Sequence, residues 1–279
     1  MTVSACSFLC AHRGNFFHEI GHFQKQVSCY FQAQSAGTIL ESNICFNGPR
    51  AGFNFNDGMG GGDVIKSNVI FNMVRETQDH GTFNSWDRQP FFNATGDGGY
   101  AYPYRDISNN FWINNYNPQE ATDNDDGSAY YKTHDNFFPF SRGGLKGDFG
   151  GHDNHHYNNV YINEGGCMGI TAQLAGHEDL FCNNTCLMTV AGESYAVFQG
   201  SGHASGGVAH PAAPTMHDNK VFTPDGAVSV QRRSGPDRST WVTTPLEEWQ
   251  ALGHDVGTTA ATFPSDAVVI QMARGVLKM

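Results

Sequence analysis

In GGLKGDFGGHDNHH, residues 143–156, five glycines are interleaved with a lysine, two aspartates and three histidines. These polar side chains can move protons, pair with charge or bind metal. If the run opens as a strand, alternation turns Leu145 inward. Lys146 and Asp148 then share the opposite face, about 7 Å apart. DNDDGSAYY, residues 123–131, adds Asp123, Asp125 and Asp126 just upstream. Asp-Gly and Gly-Gly belong in turns whatever the function, which accounts for the glycines. A turn does not require Lys146, Asp148, His152 or Asp153. Crowding carboxylates, an ammonium and an imidazole costs repulsion and desolvation, which marks the group as a candidate site. The expected catalytic set is Lys146, Asp148, Asp126 and His152.

A second concentration lies in RETQDHGTFNSWDRQPFF, residues 75–92. Trp86 offers a ring for a sugar face, or a cover for the edge of the core. Arg88 offers a two-point contact to a carboxylate. Arg75, Glu76, Asp87 and Arg88 also suit salt bridges that tie down a long loop. The expected substrate-binding set is Arg88, Trp86, Asp87 and His80, joined by Asp153 and Arg142. Asp123 and Asp125 could hold Ca2+ through their oxygens, although DNDDG lacks the carboxylate and glycine spacing of an EF-hand loop. His152, His155 and His156 could bind a transition metal or could line a solvated turn.

The elements that carry these residues are revealed by asparagine. Short apolar runs follow Asn43, Asn68, Asn110, Asn136, Asn159, Asn184 and Asn219, at spacings of 25, 42, 26, 23, 25 and 35 residues. Such periods indicate a solenoid or a propeller, but propeller blades run to about 40 residues or more. The units are short β-runs bounded by Asn and Gly, without helical periodicity. The expected fold is therefore all-β: a right-handed parallel β-helix with coils of about 23–26 residues and a short helical C-terminal cap. Asparagine tolerates the left-handed backbone of a sharp corner, and stacked asparagines can hydrogen-bond in a ladder. A second strand begins at a glycine in GFNFN (Gly52), GLKGD (Gly144), GCMGI (Gly166) and GAVSV (Gly226). This register matches Lys146 and Asp148 with Asn54 and Asn56. Asp126 and His152, 26 residues apart, should stack one coil on.

The coils should fill residues 1–235, with excursions near 75–106 and 199–216 and a capping segment at 236–279. Within the cap, Thr244-Pro245-Leu246-Glu247 is a helix start, Gly253 a stop, and SDAVVIQMARGVLKM a second helix. No polar cap precedes the first strands, so the chain is expected to be the C-terminal part of a longer protein.

Bulk properties narrow the function. The formal net charge of −11 lacks the basic footprint of a nucleic-acid binder. No apolar run reaches a membrane span, and no signal peptide opens the chain. Seven cysteines include no CxxC pair, so most read as small buried hydrophobes. Cys182 and Cys186 could form a local disulfide. Asn93-Ala94-Thr95 and Asn183-Asn184-Thr185 are glycosylation sequons that point weakly outside the cell.

NGPRAGFNFNDGMGGG, RETQDHGTFNSWDRQPFF, DDGSAYY and KGDFGGHD, in that order, resemble the pectate-lyase-like superfamily of parallel β-helix proteins, in particular its large extracellular members. The resemblance spans roughly residues 20–275. It implies polysaccharide lyases, epimerases and glycosidases, an extracellular or cell-surface location and a polysaccharide partner. The Asp125-Asp126 pair and the later Gly-His of GGHD echo polygalacturonase-like hydrolases, but the Arg-Ile-Lys motif of those enzymes is missing. The expected function is a lyase or epimerase acting as a monomer on a uronic-acid polymer. Lys146 would be the base, with His152 second, and Arg88, Arg142 or a cation would steady the enolate-like intermediate. The alternatives are a glycosidase using Asp126 and Asp148, and a non-catalytic adhesive solenoid.

Overall fold

The computed structural model describes residues 10–56, 61–77, 79–86, 104–148, 150–171, 177–198, 214–234 and 240–279. Three sheets form the walls of a parallel β-helix. Sheet 1 stacks Ala11–Arg13, Ile39–Glu41, Val64–Lys66, Arg105–Ser108, Tyr131–His134, His155–Tyr157, Leu180–Cys182 and Thr215–His217. Sheet 2 stacks Phe16–His18, Ile44–Phe46, Val69–Phe71, Phe111–Ile113, Phe137–Ser141, Val160–Asn163, Thr185–Met188, Lys220–Thr223 and Thr259–Thr262. Sheet 3 stacks Tyr30–Ala33, Phe53–Asn56, Phe83–Trp86, Glu120–Asp125, Gly143–Gly147, Met168–Ile170, Ala196–Phe198 and Ser229–Ser234 in parallel, and Thr240–Pro245 closes it antiparallel.

The corner from sheet 1 to sheet 2 is two residues long in every coil, from Gly14-Asn15 to Asp218-Asn219. Its second residue is the ladder asparagine. Asn43 Nδ2 donates to Asn68 Oδ1 at 2.9 Å, Asn68 to Asn110 at 2.9 Å, Asn110 to Asn136 at 2.9 Å, and Asn136 to Asn159 at 3.1 Å. Each of these amides also donates to a carbonyl of the preceding coil, so burial leaves no polar atom of the rung unsatisfied. Asn15 begins the series, one rung before Asn43, and Thr258 receives Asn219 N at its far end. The left-handed residue is not the asparagine but the one before it. Ser42, Ser67, Asn109, Asp135, Asn158, Asn183 and Asp218 all have φ of 53–57°. Asn183 is therefore an exposed corner of its sequon, while Asn184 is buried in the ladder.

Inside, large rings stack coil upon coil. Trp112, Phe138 and Tyr161 lie nearly parallel at 6.2 and 5.0 Å, and Phe53 and Phe83 meet Trp112 edge-on. Arg105 and Asp63 form a fully buried ion pair at 3.1 Å, with the guanidinium 4.8 Å over the Tyr131 ring. His156 also faces the core with no exposed surface, and burial pulls its pKa down to about 3, so it is a neutral core residue and not a metal ligand. Among the described residues, two disulfides, Cys29–Cys45 and Cys167–Cys186, tie neighbouring segments. Cys186 thus takes Cys167 rather than Cys182, which is a buried free thiol.

The C-terminal segment differs from the expected cap in two ways. The repeat continues past residue 235, because Thr259–Thr262 supplies a ninth strand to sheet 2. The first helix, α1 (Leu246–Ala251), inserts Leu246 and Trp249 into the interior core. The second, α2 (Asp266–Leu277), lies against the outside of sheet 2, where Val276 meets Phe137, Val160 and Leu187. Among the described residues, no helix is long and apolar enough to cross a membrane.

Candidate functional site

Sheet 3 positions the reactive residues. Asn54, Asn84, Asp123, Lys146 and Gly169 are register equivalents on successive coils. Asn56, Trp86 and Asp125 form the next outward column, which Asp148 extends just beyond its strand. The expected match of Lys146 with Asn54 therefore holds. The match of GLKGD to GCMGI does not, since Leu145 pairs with Met168 instead of Cys167. GAVSV is displaced further, since Val230 occupies that same row through Ala196. A glycine can sit at several points of a corner, so it does not anchor a register. RETQDHGTFNSW is likewise not all excursion: Phe83–Trp86 is a sheet 3 strand.

Lys146 is caged. Its Nζ lies 3.2 Å from Asp123 Oδ1, 3.1 Å from Asp125 Oδ1 and 3.2 Å from Asp148 Oδ2. Burial works to strip its proton, but Asp123, Asp125 and Asp148 outweigh burial and push its pKa further up. Lys146 is therefore a fixed cation and is poorly suited to the role of base. Its ammonium also sits among the carboxylates expected to hold Ca2+, Asp123 and Asp125. Asp123 has no exposed surface, and burial holds its carboxyl well above the usual range despite Lys146. Thr171 Oγ1 donates to Asp148 Oδ1.

Beside the cage stands Glu120. Burial raises its carboxyl to about 7 against the pull of Lys146, and Asp148 and Asp125 add to the rise. Glu120 is thus substantially protonated at neutral pH. Together with Gln119, Arg142, Lys146, Asp148 and Glu193, it lines a groove of about 490 Å³ on the outer face of sheet 3. Gly169, the register partner of Lys146, has open space where a side chain would stand, so the groove floor there is bare backbone. Gly144 must be glycine, because a Cβ would lie 2.1 Å from Cys167 O.

Toward the N-terminal coils, Arg50 Nη1 donates to Asn54 Oδ1, and its Nη2 lies 2.7 Å from His80 Nε2. Burial and the neighbouring Arg50 lower the His80 pKa to about 4, so this imidazole is neutral. Its other nitrogen lies 3.0 Å from Asp79 Oδ1.

The remaining expected residues separate from this row. Asp126 turns aside at φ 22° and accepts a 2.9 Å hydrogen bond from Trp86 Nε1. Its coil partner is not His152: the bridge joins Ala129 to His152, three residues later. The turn Asp126-Gly127 consumes the extra length. His152 and Asp153 lie on the corner leading to sheet 1, where both His152 Nδ1 and His177 Nδ1 meet Asp153 Oδ2. Arg142 is exposed on the groove rim. Asp87 and Arg88 lie outside the described residues. Arg50, Glu120, Thr171 and His177 join the expected residues without a motif that marks them. His177 follows His152 by 25 residues, one coil, and that spacing could have found it. Arg50 stands just ahead of GFNFN. Nothing in the pattern distinguished Glu120, whose character comes from burial.

The chain matches no family model, no curated protein and no solved structure.

Proposed function

We propose that the protein is a carbohydrate-active β-helix that binds an extracellular polysaccharide along the outer face of sheet 3 and hydrolyses it with a pair of carboxyl groups. The observation that carries this reading is Glu120, raised to about 7 in the same groove as Asp148, whose carboxylate is ion-paired with Lys146. Glycoside hydrolysis needs one carboxylic acid that keeps its proton to give to the leaving oxygen and one carboxylate that stays ionised. Glu120 is the proposed acid and Asp148 the proposed base or nucleophile. Lys146 holds Asp148 in an ion pair, and the Thr171 hydroxyl donates to its other oxygen. The concentration of carboxylates around the groove suits a neutral chain better than a polyuronate. Two disulfides and the exposed Asn183 support an extracellular setting.

A second reading, the uronate lyase or epimerase, rests on a different observation. His80 is a neutral imidazole beside Arg50, a base next to a cation that could steady a carboxylate. One polysaccharide panel separates the two. Hydrolysis gives new reducing ends without ultraviolet absorbance, whereas a lyase gives unsaturated ends that absorb. Under the hydrolase reading, Glu120→Gln and Asp148→Asn each lower kcat at least roughly 100-fold, and His80→Ala leaves the cleavage chemistry intact. Absorbing products that disappear with His80→Ala would replace it with the lyase reading, and no product from any polymer would leave a binding solenoid.

A further inference from the structure

A second constellation lies away from the groove, on the corner between sheets 3 and 1. His152 belongs to one coil and His177 to the next, and Asp153 stands between them. His152 Nδ1 is 2.7 Å and His177 Nδ1 is 2.6 Å from the same oxygen, Asp153 Oδ2. The two rings lie 4.0 Å apart between centroids, tilted by 41°. One ligand atom from each of the three residues falls within 4.8 Å of the others.

The corner is built to hold these groups still. His152 N donates to Ser128 O at 3.2 Å, and His152 O accepts from Tyr130 N at 3.3 Å, so the backbone is stitched to the preceding coil. The Tyr130 ring packs edge-on against the His152 ring at 5.3 Å. Asp153 is fixed in the left-handed region at φ 54°, and its second oxygen, Oδ1, accepts from Glu178 N at 3.4 Å. Such an outer contact leaves the remaining carboxylate oxygen oriented toward the two imidazoles. His177 is the most exposed of the three, with 37% of its side chain open to solvent, so one side of the cluster remains accessible.

We propose that His152, Asp153 and His177 form a binding site for a divalent transition-metal ion of the zinc type. Two imidazoles and one carboxylate are the donor set that zinc-like ions take and that calcium does not. Three protein ligands leave a position for water or a ligand. The donor atoms stand 2.6–2.7 Å apart across Asp153 Oδ2. Two ligands on one zinc ion stand roughly 3.3 Å apart at the usual bond lengths, so a small side-chain rotation accommodates the ion. Because the ligands come from adjacent coils, the ion would clamp one coil to the next at an exposed corner. The site is independent of the groove chemistry, and neither reading needs the other.

The test is a calorimetric titration of the full chain with zinc chloride after chelator treatment and dialysis. The expected result is one saturable site per chain with micromolar affinity or tighter. His177→Ala lowers that affinity at least roughly 100-fold and leaves the circular dichroism unchanged, because the side chain is part-exposed. His217→Ala removes another surface histidine of sheet 1, one that pairs with Asp218 at 2.8 Å, and leaves zinc binding unaltered. Cobalt loading gives visible absorption bands that His152→Ala and His177→Ala both abolish. The proposal fails if wild type shows no saturable binding at micromolar zinc, if His177→Ala binds as tightly as wild type, or if His217→Ala loses as much affinity as His177→Ala.

Discussion

Asp123 Oδ1 and Lys146 Nζ stand 3.2 Å apart on adjacent coils, and the Asp123 side chain has no surface exposed to water. A buried carboxylate next to a lysine makes the lysine structural as well as electrostatic. Removing the lysine takes away the one cation that the carboxyl groups of Asp123, Asp125 and Asp148 crowd around.

Lys146→Met is therefore expected to destabilise the fold by about 3–5 kcal/mol, read from the urea midpoint. Asp123→Asn in the same chain should recover part of that loss. The folded-state pKa of Lys146 is raised, so its contribution is fully present below the ordinary lysine value and is lost only as pH rises through the folded value. Between about pH 5 and pH 9 the wild-type advantage over Lys146→Met should show no decline from this group. An unchanged midpoint in Lys146→Met would show that the cage does not support the fold.

Glu120 sets the opposite trend within the accessible range. Its folded pKa of about 7 lies above the ordinary glutamate value, so the folded state binds the proton more tightly. The stabilisation is complete below the unfolded value and is lost as pH rises through about 7. Wild type should lose about 2 kcal/mol relative to Glu120→Gln between about pH 5 and pH 8. Parallel pH profiles for the two proteins would contradict the assignment.

The asparagine ladder predicts a position-dependent cost. Asn136 accepts from Asn110 N and Nδ2 and donates to Ile107 O and Asn159 Oδ1. Asn136→Ala should cost about 3 kcal/mol or more, because it strands buried partners on both neighbouring coils. Asn15→Ala, at a part-buried end rung, should cost about 1 kcal/mol. Equal losses at both positions, measured by chemical denaturation, would argue against a cooperative ladder.

The two disulfides predict a redox-dependent melting temperature. Cys167–Cys186 closes a separation of 19 residues and should contribute about 3 kcal/mol. A reductant should lower Tm by several degrees, and Cys182→Ser should leave both crosslinks intact by peptide mapping under non-reducing conditions. A Cys182–Cys186 crosslink in that map would overturn the pairing.

The coil was legible in the sequence because its most constrained position carries one residue type. A buried side chain that must both donate and accept along the stack recurs as asparagine. The residue that makes the bend stands one place before the asparagine and is not marked by type, since Ser42, Asp135 and Asp218 serve that backbone as well as Asn158 does. In sheet 3, strand alternation was enough to put Lys146 and Asp148 on one face. It could not reveal that three carboxylates would hold the lysine proton, because Asp123 and Asp125 come from the preceding coil and the register is set by pairing. The 26-residue interval from Asp126 to His152 matches one coil, but the Asp126-Gly127 turn takes up three of those residues and brings Ala129 opposite His152. Glu120 and Arg50 acquire their chemistry from burial and neighbours, for which single-residue patterns carry no signal.

The constant two-residue corner between sheets 1 and 2 has an evolutionary consequence. A rung of the ladder can bond to the next only if every coil enters sheet 2 at the same point, so insertions there would sever the spine. The other two corners both border sheet 3 and carry no such constraint, and the intervals of 42 and 35 residues between ladder asparagines are accommodated there. Lengthening the chain at those corners leaves the asparagine ladder unbroken. One edge of the molecule is locked against change, and the two corners that border sheet 3 are free to diversify.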